Sequence, residues 1–111
     1  SPIYSRLFDG ESVPHGHDLT LHRLRKDSGY GDEVILTGDV PGRDPYAVRC
    51  LLPEPGRPAT SGDCQRDIRV GRDLSVLYRF SSTLLSEWHH IDAAVRSFVE
   101  NRLQVAGAAS R

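Results

Sequence analysis

His15-Gly16-His17-Asp18, with His22 close behind, is the stretch of this sequence closest to a metal site. Imidazoles at i and i+2 of an extended segment can converge on one ion. Pro14 and Gly16 mark the stretch as a loop, however, and no fixed fourth ligand accompanies the three histidines. A polar surface loop is therefore the expectation, with no metal and no cofactor. His89-His90 with Asp92 falls on a helical segment, where His89 lies off the apolar stripe and a solvent-facing pair with Asp92 accounts for it. No Gly-x-Ser-x-Gly elbow, His-Glu-x-x-His, Gly-x-Gly-x-x-Gly or phosphate loop occurs in the chain. The carboxylate pairs Asp9/Glu11 and Asp32/Glu33 sit in turns, where Asp is favoured for backbone reasons. No enzymatic activity is expected.

The two cysteines carry the clearest chemistry. Cys50 and Cys64 have thirteen residues between them and fall at the end of one expected strand and the start of the next. Strand parity puts both on the apolar face, where a disulfide would tie the base of a long loop and contribute about 3 kcal/mol. Two buried free thiols are the other reading, and zinc lacks two further ligands at suitable spacing. An oxidised pair implies an exported protein, periplasmic or secreted. The chain also starts Ser1-Pro2-Ile3 without an initiating Met, which fits removal of a signal peptide or other N-terminal trimming.

The loop above that base runs from Pro53 to Asp63 and contains three prolines. Stiffened and tied, it presents a preorganised tip, and preorganisation lowers the entropy lost on binding. Its charged members Glu54, Arg57 and Asp63 are the candidate contact residues. Arg49, Arg69 and Arg79 form a possible basic row on the wet sheet face, with Asp67 among them. Cross-strand charge pairing is the simpler account of that row.

Short extended runs separated by turn residues must position these groups. Ile3–Phe8, Asp18–Arg25, Glu33–Thr37, Tyr46–Leu52, Cys64–Val70 and Leu74–Phe80 read as strands of an antiparallel meander. Tyr46, Val48, Cys50 and Leu52 share one face, as do Cys64, Ile68 and Val70, then Leu74, Val76, Tyr78 and Phe80. That alternation means one dry and one wet side. Ser81 or Ser82 can cap a following helix, about 82–105, whose Leu84, Trp88, Ile91, Val95 and Phe98 fall within about 80° of one another. The expected fold class is α+β, one antiparallel sheet of five or six strands covered by a long C-terminal helix. Trp88 is expected in the middle of that stripe, packed on Ile68, Val76 or Tyr78. Gly107 is read as the C-terminal cap and 106–111 as a frayed tail.

The chain has 111 residues, enough for a single domain over 1–111. Its 38% hydrophobic content plus ten glycines lies in the range of ordinary globular domains, so disorder is not expected. A net charge of −1 lacks the electrostatic footprint of a nucleic-acid binder, and apolar runs of three or four residues leave nothing to insert in a membrane.

Residues 64–99 resemble the strand-then-helix end of bacterial type VI lipase immunity proteins. The resemblance rests on Asp73-Leu74-Ser75-Val76-Leu77-Tyr78-Arg79-Phe80, then Leu84-Leu85-Ser86-Glu87-Trp88-His89-His90-Ile91-Asp92 and Val95. It implies a periplasmic, non-catalytic protein that blocks a toxic phospholipase. Members of that family are usually longer, with two domains, and the matched positions here are fold-making ones, so no functional residue transfers. The expected function is an exported protein-binding module, an immunity or inhibitor protein whose partner is a toxic effector enzyme. The alternatives are a small periplasmic ligand- or metal-binding protein and a structural domain of a larger envelope protein.

Overall fold

A computed structural model describes residues 2–109 of the protein. A short helix α1 (Pro2–Ser5) leads into six strands, β1 (Phe8–Gly16), β2 (Leu19–Leu24), β3 (Val34–Gly38), β4 (Tyr46–Cys50), β5 (Cys64–Val70) and β6 (Leu74–Phe80). A 3-10 segment, Ser82–Glu87, then joins the long helix α2 (Trp88–Ala109). The strands lie in sequence order β1-β2-β3-β4-β5-β6, every neighbouring pair antiparallel. This is the α+β meander with a C-terminal helix that the alternation predicts.

The N-terminal strand is not Ile3–Phe8. The chain is helical at Pro2–Ser5 and turns extended only at Phe8. β1 is an edge strand exposed along nearly its whole length, so it carries no apolar alternation to read. Its Pro14 is tolerated because an edge strand can spare an N–H. His17 and Asp18 form the two-residue turn into β2, both with positive φ (56° and 62°), the backbone a tight type I′ hairpin requires.

The dry face holds the main core. Leu19, Leu21, Val34, Leu36, Tyr46, Val48, Cys50, Cys64 and Phe80 pack there with Leu85 and Trp88 from above. The opposite face is not simply wet. Leu24, Ile35 and Ala47 form a second, smaller cluster under Tyr4, Leu7, Phe8 and Tyr30. The N-terminal segment folds back over one end of the sheet to make it, with Arg25 N–H donating to the Leu7 carbonyl.

The cover also differs in detail. Ser81 caps the segment, its Oγ accepting from Thr83 N–H, but the first turns are 3-10 and α-geometry starts at Trp88. The tighter 3-10 turns place Leu85 in the core and leave Leu84 46% exposed. Trp88 therefore opens α2 instead of standing mid-helix. Its indole packs on Tyr46 of β4, ring centroids 4.3 Å apart, and beside Gly38 of β3, and Tyr78 packs against the same cluster. Further along, Phe98 is 60% exposed. Helix α2 runs through Gly107, so that residue is no cap, and residues 110 and 111 of the expected frayed tail lie outside the described part.

Candidate functional site

The loop between β4 and β5 is built from the disulfide outward. Cys50 and Cys64 are direct cross-strand partners with Cα atoms 4.1 Å apart, bonded to each other and fully buried. Leu51 N–H donates to the Asp63 carbonyl at 2.8 Å, one step beyond the bridge. At the far end Glu54-Pro55-Gly56-Arg57 closes on itself, each of Glu54 and Arg57 giving its N–H to the other's carbonyl. Gly56 has φ 84°, which a tight turn with Pro before it demands.

The three candidate contact residues take different places in this loop. Arg57 folds its guanidinium back onto the Leu52 carbonyl, 2.7 Å from one terminal nitrogen, with Glu54 and Asp32 as looser charge partners. Glu54 stays mostly exposed at the tip. Asp63 sits at the base. Its carboxylate accepts from Ser82 N–H (2.5 Å), the Ser82 hydroxyl (2.9 Å) and Thr60 N–H (3.0 Å). Burial pushes its pKa up, but the bonds from Thr60 and Ser82 outweigh that and hold it below the usual carboxylate value. Asp63 thus fastens the loop to the start of the 3-10 segment, an anchoring role that spacing alone did not disclose.

The histidines do not converge. His17 lies in the hairpin turn and lends its carbonyl to the Trp88 indole N–H at 2.8 Å. His22 stacks on Phe8 at 4.2 Å and its Nε2 bonds the Thr37 hydroxyl at 2.9 Å. Burial lowers its pKa. Among the described residues no three His, Cys, Asp or Glu side chains gather as metal ligands. His89 stacks on Trp88, whereas Asp92 turns inward, so the expected His89–Asp92 surface pair does not form.

Asp92 meets the group that parity reading missed. Arg66 shares the dry face with Cys64 and Ile68, and both it and Asp92 are buried, 8% and 7% exposed. Arg66 Nε donates to Asp92 Oδ1 at 3.1 Å, and its NH1 to the Ala47 carbonyl at 3.1 Å. Its guanidinium lies over the Tyr46 ring, and Tyr78 donates its hydroxyl proton to Asp92 at 2.7 Å. The Tyr46 hydroxyl is buried, and burial raises its pKa. This arrangement replaces a sheet contact. β4 and β5 pair only at Arg49–Gln65 and Cys50–Cys64, then splay, and Arg66 fills the gap by taking the Ala47 carbonyl. The signal for it was a charged residue at an apolar register position in β5, matched by another four residues after Trp88.

Beyond the splay, the face opposite α2 carries an open trough of about 790 Å³, lined by Phe8, His22, Thr37, Asp67, Arg69 and Ser75 among others. Arg49 lies elsewhere, paired with Glu33 at 2.8 Å and with Tyr4, so the three arginines do not form a continuous row. No family model, no curated protein and no solved structure matches the chain.

Proposed function

We propose that this chain is a protein-binding module of an oxidising compartment, a bacterial immunity or inhibitor protein that neutralises a toxic secreted enzyme. The observation that carries this reading is the braced β4–β5 loop. Its base is tied by Cys50–Cys64, its flank by Asp63 to Ser82 and its tip by Arg57 to Leu52. A loop fixed at three places loses little entropy when a partner closes on it, and Glu54 and the Pro55-Gly56 turn are what it offers. A disulfide in a domain this small is also what an oxidising compartment favours.

Neutralisation is the test. Secreted phospholipase effectors are sent to the periplasm of a susceptible host, each alone and together with this protein. Protection that disappears when residues 54–57 are replaced by a Gly-Ser linker supports the reading. Absence of protection rejects an immunity role, and protection indifferent to the loop rejects the loop as the contact surface.

The trough supports a second reading as a small-ligand carrier. Its volume suits a ligand of drug or short-lipid size, with His22 and Arg69 as polar groups at its walls. Titration of an environment-sensitive fatty-acid probe separates the two. Saturable binding abolished by His22→Trp favours the carrier, and a flat titration removes it.

A further inference from the structure

The sheet has two free edges, and they are built differently. β1 contains Pro14, breaks register between Asp9 and Val13 and again between Pro14 and Gly16, and presents polar side chains. Such features blunt an edge against further pairing. β6 has none of them. It is seven residues long, Leu74-Ser75-Val76-Leu77-Tyr78-Arg79-Phe80, and pairs with β5 in unbroken register.

The direction of its backbone groups follows from the ladder. Leu51 N–H bonds the Asp63 carbonyl, so odd-numbered residues of β5 turn their amides toward β4 and even-numbered ones toward β6. The partners of those even residues, Phe80, Tyr78, Val76 and Leu74, spend their amides on β5. Ser75, Leu77 and Arg79 therefore point three N–H and three C=O groups out of the sheet. Leu77 is 52% exposed beside them and Leu74 is 39% exposed on the other face. On α2, Phe98 and Val105 are also exposed, 60% and 67%.

We propose that β6 pairs antiparallel with β6 of a second copy of this chain, joining two six-stranded sheets into one. The strand is complementary to itself. A twofold axis at Leu77 sets Leu77 against Leu77 and Ser75 against Arg79, and all six outward groups find partners. In that register no arginine faces an arginine, Val76 lies against Tyr78 and Leu74 against Phe80. A register one residue shorter about Val76 satisfies only four of the six groups. Both α2 helices fall on the same face of the joined sheet. Because β1 is blunted, growth stops at two copies, giving a closed pair and no fibre.

Sedimentation of the intact, oxidised protein up to about 100 μM tests this, since that range populates any pairing of micromolar Kd. A concentration-dependent dimer is expected, with amide exchange at Ser75, Leu77 and Arg79 slowed about tenfold or more at the high end while β1 amides are unchanged. Leu77→Lys, at an exposed position, should retain the monomer's circular dichroism and melting, lose the dimer and restore fast exchange. A protein that stays monomeric throughout overturns the proposal, also if β6 proves to receive the strand of a different protein. A dimer that survives Leu77→Lys, or forms without protecting those three amides, overturns it equally.

Discussion

The Trp88 indole N–H donates to the backbone carbonyl of His17, 2.8 Å away and 71 residues earlier in the chain. That bond links the first residue of α2 to the β1–β2 hairpin turn, at the far side of the sheet from the strand that precedes the helix. Trp88 is 1% exposed and fills the space between Tyr46 and Gly38. Trp88→Ala should lose about 3–5 kcal/mol, read as a lower urea midpoint. Trp88→Phe keeps a ring but drops the bond to the His17 carbonyl, and the lost bond should cost about 1 kcal/mol. Native emission should be that of buried indole. A water-like maximum in the folded state contradicts the packing.

Gly38 makes room for that ring. A Cβ there would stand 2.8 and 2.9 Å from two indole carbons and 3.2 Å from a Leu19 methyl. The indole is rigid and already wedged, so Gly38→Ala should destabilise by about 1–3 kcal/mol, although alanine suits a strand better than glycine. An unchanged melting temperature would show that the indole has room to shift.

Arg66 and Asp92 should behave as a unit. Removing Asp92 leaves Arg66 charged and buried, so Asp92→Ala should cost about 3–5 kcal/mol, and Arg66→Ala less, because Arg96 stays 4.0 Å from Asp92. Arg66→Met with Asp92→Leu should recover part of that loss. Equilibrium denaturation of the two single variants and the pair gives the coupling. Additive effects would mean that the ion pair is not what joins α2 to β5.

Two side chains set separate windows of acid sensitivity. His22 has its pKa lowered by burial, so the unfolded chain takes up that proton first. Its contribution is complete above about pH 6.5 and declines as pH falls toward the folded value. Asp63 has its pKa lowered too, so its contribution is complete above about pH 4 and declines below that. His22→Gln should flatten the upper window alone. Asp63→Ala should flatten the lower one and cost about 1–2 kcal/mol at neutral pH through the lost bonds to Ser82 and Thr60.

Reducing Cys50–Cys64 should cost about 3 kcal/mol, the value for a closed loop of this length. Without a reductant, alkylation should leave the intact mass unchanged.

Strands β5 and β6 were legible to the residue because each alternates between flanking turn residues, and Cys50 and Cys64 followed from the same parity. β1 was not, because an edge exposed on both faces needs no apolar period. Arg66 and Asp92 escaped for a related reason. Counting apolar positions finds a stripe but not a charged pair seated within it, and neither residue looks buried until its partner is known. Among the loop residues, spacing identified a tied segment at 53–63. Only the fold shows that Asp63 fastens it while Glu54 faces outward.

The strand order has a kinetic consequence. Each strand of the sheet pairs with its neighbour in the chain, so hairpins can add one after another and every closure along the sheet is short. The closure between His17 and Trp88 is far longer, 71 residues, and needs nearly the whole meander in place before the ring finds its carbonyl. On that topology α2 docks late, and only its docking covers Tyr46 and the disulfide with Leu85 and Trp88. A chain lacking the residues from 88 onward leaves that face uncovered, which makes the last fifth of the sequence the part that commits the rest to a single structure.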